Sequence, residues 1–553
     1  NEFFVSVGPK VTNELLAHGP SPTIDSRLHR VGSCGLTLSP ITLEMLQETV
    51  MSMRSTAACG LDGLCIRIFK AAFPAIDFVI LDIVNACIVR SEIPESWKHS
   101  LVHPIFKSGE SSDPSNFRPI SIVPVITKII ERIVQGQLYY YFSSNHLLSP
   151  SQHGFRPRHS TETALTVVTD RILTATDDGK VTLLCLIDLS KCFDVINHEI
   201  LLRKLELYGV DTTWFRAYLK GHTQAVTLRG SHGETQTSKA LENTMGVFQG
   251  SSLGPLLFSI FTNDLSLHAE GADVIQYADD TQLIVSGDKS DMEAVINRME
   301  TVLASINDWF HSNLLKVNAS KTELVVFGSA QTLRSLPNLK IKFCKTTLMP
   351  CDKARNLGLI FDSTLSWEAH VSMISRRCMG ILSGLSHARH YLPNSVVHTL
   401  VTSLVVSQVR YCISVYGSGP KKNLVRVQKV LNFAARVIFG RKKFDHVSDL
   451  WDRLGWLRPQ QLVDTATINL VHKVIKSGQP DALSALFRQN SGKRERKTRQ
   501  DHLYVVPRCK TGAGQRRFSV RGPNLYNSLP TTMYHLRQPN FQRHLYELFR
   551  TLV

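Results

Sequence analysis

Val274-Ile275-Gln276-Tyr277-Ala278-Asp279-Asp280-Thr281-Gln282-Leu283-Ile284-Val285 is the stretch on which the fold turns. Two apolar runs, Val274–Tyr277 and Leu283–Val285, flank Ala278-Asp279-Asp280, so the segment reads as a β-hairpin with two carboxylates at its apex. Adjacent like charges repel unless a cation neutralises them. With a third acid at the end of a neighbouring strand they make an oxygen-rich site suited to Mg²⁺. Asp188 is the candidate for that third acid. It ends Thr182–Ile187, a β-branched and leucine run that reads as a buried strand, where an unpaired carboxylate is costly. Two metal ions about 4 Å apart activate an attacking oxygen and stabilise a leaving one in phosphoryl transfer. A surface turn that happens to carry two acids is the plain alternative, and the company of the pair decides between them.

Outward from the hairpin, Met292, Val295, Ile296, Met299, Val302, Leu303 and Ile306 follow a 3.6-residue period and predict an amphipathic helix. Leu324–Phe327 reads as another short strand. Leu253–Leu265 has helical spacing, with Pro255 expected in its first turn. Upstream, residues 104–124 look like loop with short strands and residues 125–142 like a helix. Helical spacing recurs at Leu43–Val50 and Phe78–Ile88. Short strands alternating irregularly with helices indicate an α+β domain.

The chain has 553 residues, 43% apolar and 20% charged, which excludes a disordered, collagen-like or coiled-coil protein and suggests roughly three or four domains. Tyr391–Val409, the longest uncharged apolar-looking stretch, is too polar to span a bilayer, so no membrane partner is expected. Eleven scattered cysteines with no C-x-x-C pair do not resemble a disulfide framework or a common zinc motif. The compartment is therefore read as reducing and intracellular. Asn1 in place of an initiator Met suggests a fragment or a processed product.

The net charge of +17 is uneven: residues 364–553 hold 30 Lys/Arg against 9 Asp/Glu, and residues 1–363 hold 33 against 37. A basic back half points to a polyanion partner, most simply nucleic acid. Within it, residues 422–438 predict a helix with Lys422, Arg426, Lys429 and Arg436 on one side, and Leu424, Val427, Leu431, Ala434, Ala435 and Ile438 on the other. A solvated surface helix and a nucleic-acid contact both fit that pattern. Residues 488–521 are denser still, with 11 Lys/Arg, and Ser491–Arg499 looks too polar to pack, as in a flexible arm.

The company of the hairpin is a series of boxes. Asn116-Phe117-Arg118-Pro119-Ile120-Ser121 and His153-Gly154-Phe155-Arg156-Pro157-Arg158-His159-Ser160-Thr161 come first. Leu186-Ile187-Asp188-Leu189-Ser190-Lys191-Cys192-Phe193-Asp194 and Gly246-Val247-Phe248-Gln249-Gly250-Ser251-Ser252-Leu253-Gly254-Pro255 follow. After the hairpin come Asn318-Ala319-Ser320-Lys321-Thr322 and Asn356-Leu357-Gly358. In this order, over roughly residues 95–365, they resemble the motifs of reverse transcriptases. The Gly-Phe-Arg…His-Ser-Thr string, Ala434-Ala435-Arg436 and Phe518…Asn524-x-x-Asn527-Ser528-Leu529-Pro530 are similar to the jockey-like branch of non-LTR (LINE-type) retrotransposons.

The resemblance implies a right-hand polymerase. Residues 1–95 would be an N-terminal extension, 96–175 the fingers, 176–363 the palm with an antiparallel sheet, 364–440 a helical thumb and 441–553 a basic C-terminal extension. It implies that Asp188, Asp279 and Asp280, with the Leu189 carbonyl, hold two Mg²⁺ ions, Mn²⁺ being possible. Phe193, five positions after Asp188, would be the steric gate that rejects a ribose 2′-OH. Gln249 and Gly250 would shape the nucleotide and template pocket, the glycine allowing close backbone approach. Arg118 and Lys107 would grip the triphosphate, and Lys321 would protonate the leaving pyrophosphate or stabilise its charge. Arg156 fits either a template contact or a structural cap. Template RNA, primer DNA and dNTPs would be the partners, and cytoplasm and nucleus the compartments.

Cys192 stands where the family usually has alanine, Phe248 and Phe106 where it has proline, and Ser252 where it has valine; these departures touch fine geometry rather than chemistry. Elements of this branch usually encode an endonuclease upstream, and residues 1–95 carry none of its signatures. The expected activity is RNA-directed DNA synthesis. A decayed nucleic-acid-binding remnant, an RNA-dependent RNA polymerase and an intron-maturase-like cofactor are the rivals.

Overall fold

In the computed structural model the expected strand and hairpin form one antiparallel sheet. The structure describes residues 1–18, 28, 35–230, 233–344, 346–490 and 502–551; the basic stretch Ser491–Arg499 lies outside them. The strands up to residue 327 are β1 (His99–Phe106), β2 (Phe117–Ile122), β3 (Val181–Ile187), β4 (Thr223–Arg229), β5 (Thr235–Thr237), β6 (Leu241–Glu242), β7 (Asp273–Tyr277), β8 (Asp280–Gly287) and β9 (Glu323–Phe327). The central sheet runs β7-β8-β3-β9. Ile187 pairs with Thr281 and Tyr277 with Asp280, so the end of β3 and the hairpin apex share one edge.

β3 is central because both its faces are apolar: Leu183, Leu184 and Cys185 are fully buried. Leu183 and Cys185 face the packing around the helix Met292–Ser312, whereas Leu184 faces the helix Thr161–Asp177 and the C-terminal helices. Burial of a leucine on this scale contributes about 2 kcal/mol. A second sheet has the order β2-β1-β4-β5, with β6 on β4. Residues 104–124, expected as loop with short strands, hold the end of β1, the connecting loop and β2, with Phe106 opposite Phe117.

Strands β10 (Ile341–Phe343) and β11 (Thr346–Leu348) pair, as do β12 (Lys353–Asn356) and β13 (Leu359–Asp362). Beyond them the described chain is helical, and the helices Glu368–Ala388 and Lys421–Phe439 pack together.

One expectation changes. The helix covering Phe78–Ile88 runs over Ile66–Arg90 and, unlike Tyr391–Val409, is long and apolar enough, by length and composition, to cross a membrane. Phe69, Phe73, Ile80, Val84 and Ile88 of this helix pack into the core, while Phe78 and Val79 are exposed. The residues after 501 pack onto the body. Asp177 accepts the Lys510 and Thr511 amides at 3.0 and 2.7 Å and pairs with Arg517 at 3.5 Å, both side chains nearly fully buried. Asp170 accepts the Ser519 amide at 2.8 Å.

Candidate active site

Asp188 follows the last residue of β3, Asp279 sits in the β7–β8 turn and Asp280 opens β8. A two-residue turn needs left-handed backbone, and Ala278 supplies it at φ 57°. An alanine is held there by contacts from outside the hairpin. Oε1 of Gln152 accepts the amides of Gly154 at 2.7 Å and Ala278 at 3.1 Å. The amide of His153 donates to the Gln276 carbonyl at 2.7 Å and that of Gln276 to the Ser151 carbonyl at 2.8 Å, so residues 151–153 extend the sheet alongside β7. A Cβ on Gly154 would lie 2.2 Å from the Ala278 nitrogen, which excludes any other residue.

The three carboxylates act on one another. The Asp280 carboxyl is pushed up to about 6, by burial first and then by Asp279 and Asp188, with Lys107 opposing. Lys107 thus stands near the hairpin apex, directly after β1. Among the described residues no group of three His, Cys, Asp or Glu side chains forms a ready-made metal cage. The Asp188 carbonyl accepts the Asn318 amide at 2.8 Å, and the Ser190 amide donates to Lys316 at 2.9 Å. This antiparallel bridge pairs Leu189 with Val317 and directs the Leu189 carbonyl away from it. Lys321 follows three residues after Asn318, exposed, just ahead of β9.

Next to Asp188 in the chain, two loops are tied together. Phe193 stacks on Phe258 at 4.5 Å between ring centroids and meets Phe155 edge-on at 6.1 Å. Its carbonyl accepts the Val247 amide at 2.8 Å, which ties the Asp188 loop to the loop of Gln249. Gln249 donates through Nε2 to Asp194 at 2.9 Å, and its carbonyl accepts the Ser121 amide at 2.7 Å. Gly250 has φ 123°, and a Cβ there would lie 2.4 Å from the Ser121 carbonyl, so only glycine fits. Burial pushes the Asp194 carboxyl up to about 6. Arg118 is exposed on β2, opposite Ile105.

The departures are accommodated. Cys192 is buried beside Asp279, and burial raises its thiol well above the ordinary range. Phe248 meets His222 edge-on at 4.8 Å, and Phe106 meets Phe117 likewise at 5.4 Å. The Ser252 amide donates to Glu131, a buried carboxyl that also accepts the Tyr218 hydroxyl at 2.7 Å.

Other expected site residues have intramolecular partners. Arg156 donates to the Ser149 and Gln152 carbonyls at 2.7 and 3.3 Å, the structural-cap arrangement, behind the Gln152 contact. On the helix Lys421–Phe439, Lys422 and Arg426 both pair with Glu368, at 2.7 and 3.2 Å, and Arg436 donates to the Asp445 carbonyl. Lys429 is exposed and, like Lys422, lies at the surface of that face. A cavity of about 670 Å³ lined by Asp170, Arg171, Leu486, Arg488 and Arg517 lies against the helix Thr161–Asp177, not at the carboxylates.

Gln152 and Asp194 were missed as site-building residues, although both lie in or beside quoted boxes. A lone polar residue gives no sequence signal for a partner more than fifty positions away. Asn356, in the Asn-Leu-Gly box, likewise proves to be buried and to donate to Gln282 of β8 at 2.7 Å.

Residues 105–361 match the family described as "Reverse transcriptase (RNA-dependent DNA polymerase)". The chain is 29% identical over 436 residues to the probable RNA-directed DNA polymerase from transposon BS of Drosophila melanogaster, covering 75% of this chain and 46% of that protein. It is 25% identical over 435 residues to the RNA-directed DNA polymerase from mobile element jockey of the same species, with the same coverage. The X-element polymerase of that fly is 24% identical over 430 residues, covering 76% and 46%. The chain spans about half the length of the curated relatives it matches.

Proposed function

We propose, from the premise that residues 105–361 are a reverse transcriptase domain of the jockey-like, non-LTR kind, that this chain copies RNA into DNA from dNTPs. The observation that carries the reading is the convergence of Asp188, Asp279 and Asp280 on one sheet edge. In right-hand terms the β3–β9 sheet is the palm, the β1–β2 hairpin with the helix Thr161–Asp177 belongs to the fingers, and the helices from Glu368 to Phe439 are the thumb.

Asp188, Asp279 and Asp280, with the Leu189 carbonyl, would hold two Mg²⁺ ions, or Mn²⁺ in their place. Bound there, divalent cations lower the charge barrier to attack by a primer 3′-hydroxyl on the α-phosphorus and to departure of pyrophosphate. The protein's own part is positioning. Lys107 and Arg118, from the two strands of one hairpin, neutralise and orient the triphosphate. Gln249 is held by Asp194 and Ser121 and forms the pocket wall. Phe193, backed by Phe258, fills the space a 2′-hydroxyl would need. Lys321 stabilises the leaving group. Template RNA and primer DNA lie across this edge, and Lys429 offers a phosphate contact. Cytoplasm and nucleus are the expected compartments.

The test is primer extension on an RNA template with dNTPs and Mg²⁺, beside an Asp279→Ala/Asp280→Ala control. Extension that disappears in the control is the expected result. A folded, RNA-binding chain with no synthesis would overturn the enzymatic reading in favour of a binding remnant.

A further inference from the structure

Cys59 and Cys65 face each other across an isolated antiparallel bridge. The turn between them is closed by the Gly63 amide donating to the Gly60 carbonyl at 3.1 Å. Asp62 accepts the Leu64 amide at 3.1 Å, and Gly63 takes φ 68°. Residues paired this way have Cα atoms about 4.5–5.5 Å apart, inside the span of about 4.4–6.8 Å that a disulfide bridges. The Cys59 thiol donates to the Ala57 carbonyl at 3.2 Å.

The pair is also chemically unequal. Cys65 is the N-cap of the helix Ile66–Arg90, with extended backbone. The thiol is drawn below its ordinary range, first by the Ile68 amide and against burial, although the side chain makes no capping hydrogen bond. Burial and then Cys65 itself raise the Cys59 thiol. A thiolate favoured at a helix N-terminus beside a protonated second cysteine is the arrangement of a reactive thiol with its resolving partner. Cys65 is buried under its own turn, whose outer residues Leu61, Asp62 and Gly63 are exposed, and Cys59 is half-exposed.

We propose that Cys59 and Cys65 form a reversible disulfide that staples the turn leading into the helix Ile66–Arg90, with a peroxide as oxidant. The Cys65 thiolate attacks one peroxide oxygen; the O–O bond breaks and the leaving oxygen takes up a proton as water or an alcohol. Cys65 is then a sulfenic acid. The Cys59 sulfur, losing its proton, attacks the Cys65 sulfur; the S–O bond breaks and water leaves. Two thiols are oxidised and one peroxide is reduced. A thiol reductant reverses the step by exchange. The staple bears on the body of the protein because Gly60 packs against Pro124, which joins β2 to the helix Val125–Ser144.

The experiment treats the whole chain with near-stoichiometric hydrogen peroxide, blocks free thiols with N-ethylmaleimide and maps tryptic peptides without reduction. Both cysteines fall in one peptide, Ser55–Arg67. The expected result is that this peptide loses two hydrogens, takes no label, and regains two labels after reduction. Exposed Cys344, whose thiol burial raises, should stay labelled. In Cys59→Ser, dimedone should capture a sulfenic acid on Cys65. Two labels on Ser55–Arg67 after Cys344 has been oxidised, or a sulfinic acid on Cys65 with Cys59 still labelled, would overturn the proposal. No polymerase assay enters the readout, so its failure and that of the proposed function are separate outcomes.

Discussion

Phe193, proposed as the gate against a ribose, is also a packed side chain. Its ring is stacked on Phe258, so it cannot swing aside without losing apolar contact. Phe193→Val should therefore raise ribonucleotide incorporation relative to deoxynucleotide by about tenfold or more, roughly 1.4 kcal/mol of discrimination. Competing dNTP and rNTP extension reads that ratio, and an unchanged ratio would reduce Phe193 to core packing. Asp194 permits a test by pH. Its carboxyl is raised from 3.8 to about 6, so between those values the native chain binds more protons than the unfolded one. Its contribution to stability is then full below about pH 4 and is lost as pH rises through about 6. Thermal unfolding from pH 4 to 7 should show a shallower decline in Asp194→Asn than in the parent protein, and superimposable profiles would contradict the assignment.

At the scale of elements, the β7–β8 hairpin depends on a segment that precedes it by more than a hundred residues. Gln152→Ala would leave the buried amides of Gly154 and Ala278 without their acceptor. Each such loss costs about 1–3 kcal/mol. Urea unfolding should show a drop of this order, and extension should slow more than ground-state dNTP binding weakens, because the apex carries Asp279. A variant with parental stability and rate would show that the turn holds itself. The helix Lys421–Phe439 follows its predicted amphipathic pattern, yet Lys422 and Arg426 pair at the surface with Glu368 and Arg436 donates to the Asp445 carbonyl. Periodicity gives the face of a helix; it does not give the neighbour that covers it.

For the whole molecule, the basic back half serves partly as mortar. Arg517 and Asp177 make a buried ion pair, and Asp177 also accepts the Lys510 and Thr511 amides and the Thr511 hydroxyl. Removing one member of a buried pair strands the other, at a cost on the order of 3–5 kcal/mol. Arg517→Ala should lower stability by that much in chemical denaturation and increase proteolysis between residues 502 and 551. An unchanged midpoint would mean that these residues form an independent arm. Arg516 likewise donates to the Thr364 and Leu365 carbonyls, so formal charge overstates what the C-terminal region can offer to phosphate.

The sequence by itself determined the central strand, the hairpin with the acids Asp188, Asp279 and Asp280 at one edge, and the helix Met292–Ser312. Each of these rests on a local signal, namely a two- or 3.6-residue period, a turn, or a motif of fixed spacing. Only the tertiary structure decided that Gln152 braces the apex, that Asp194 holds Gln249, that Arg156 caps a loop, that Lys422 and Arg426 meet Glu368, and that Asp177 anchors the C-terminal residues. Those contacts join positions from four to more than three hundred residues apart through single polar atoms. A polar side chain reads the same in sequence whether its partner is water, phosphate or a distant carboxylate, and only the folded chain brings that partner within reach.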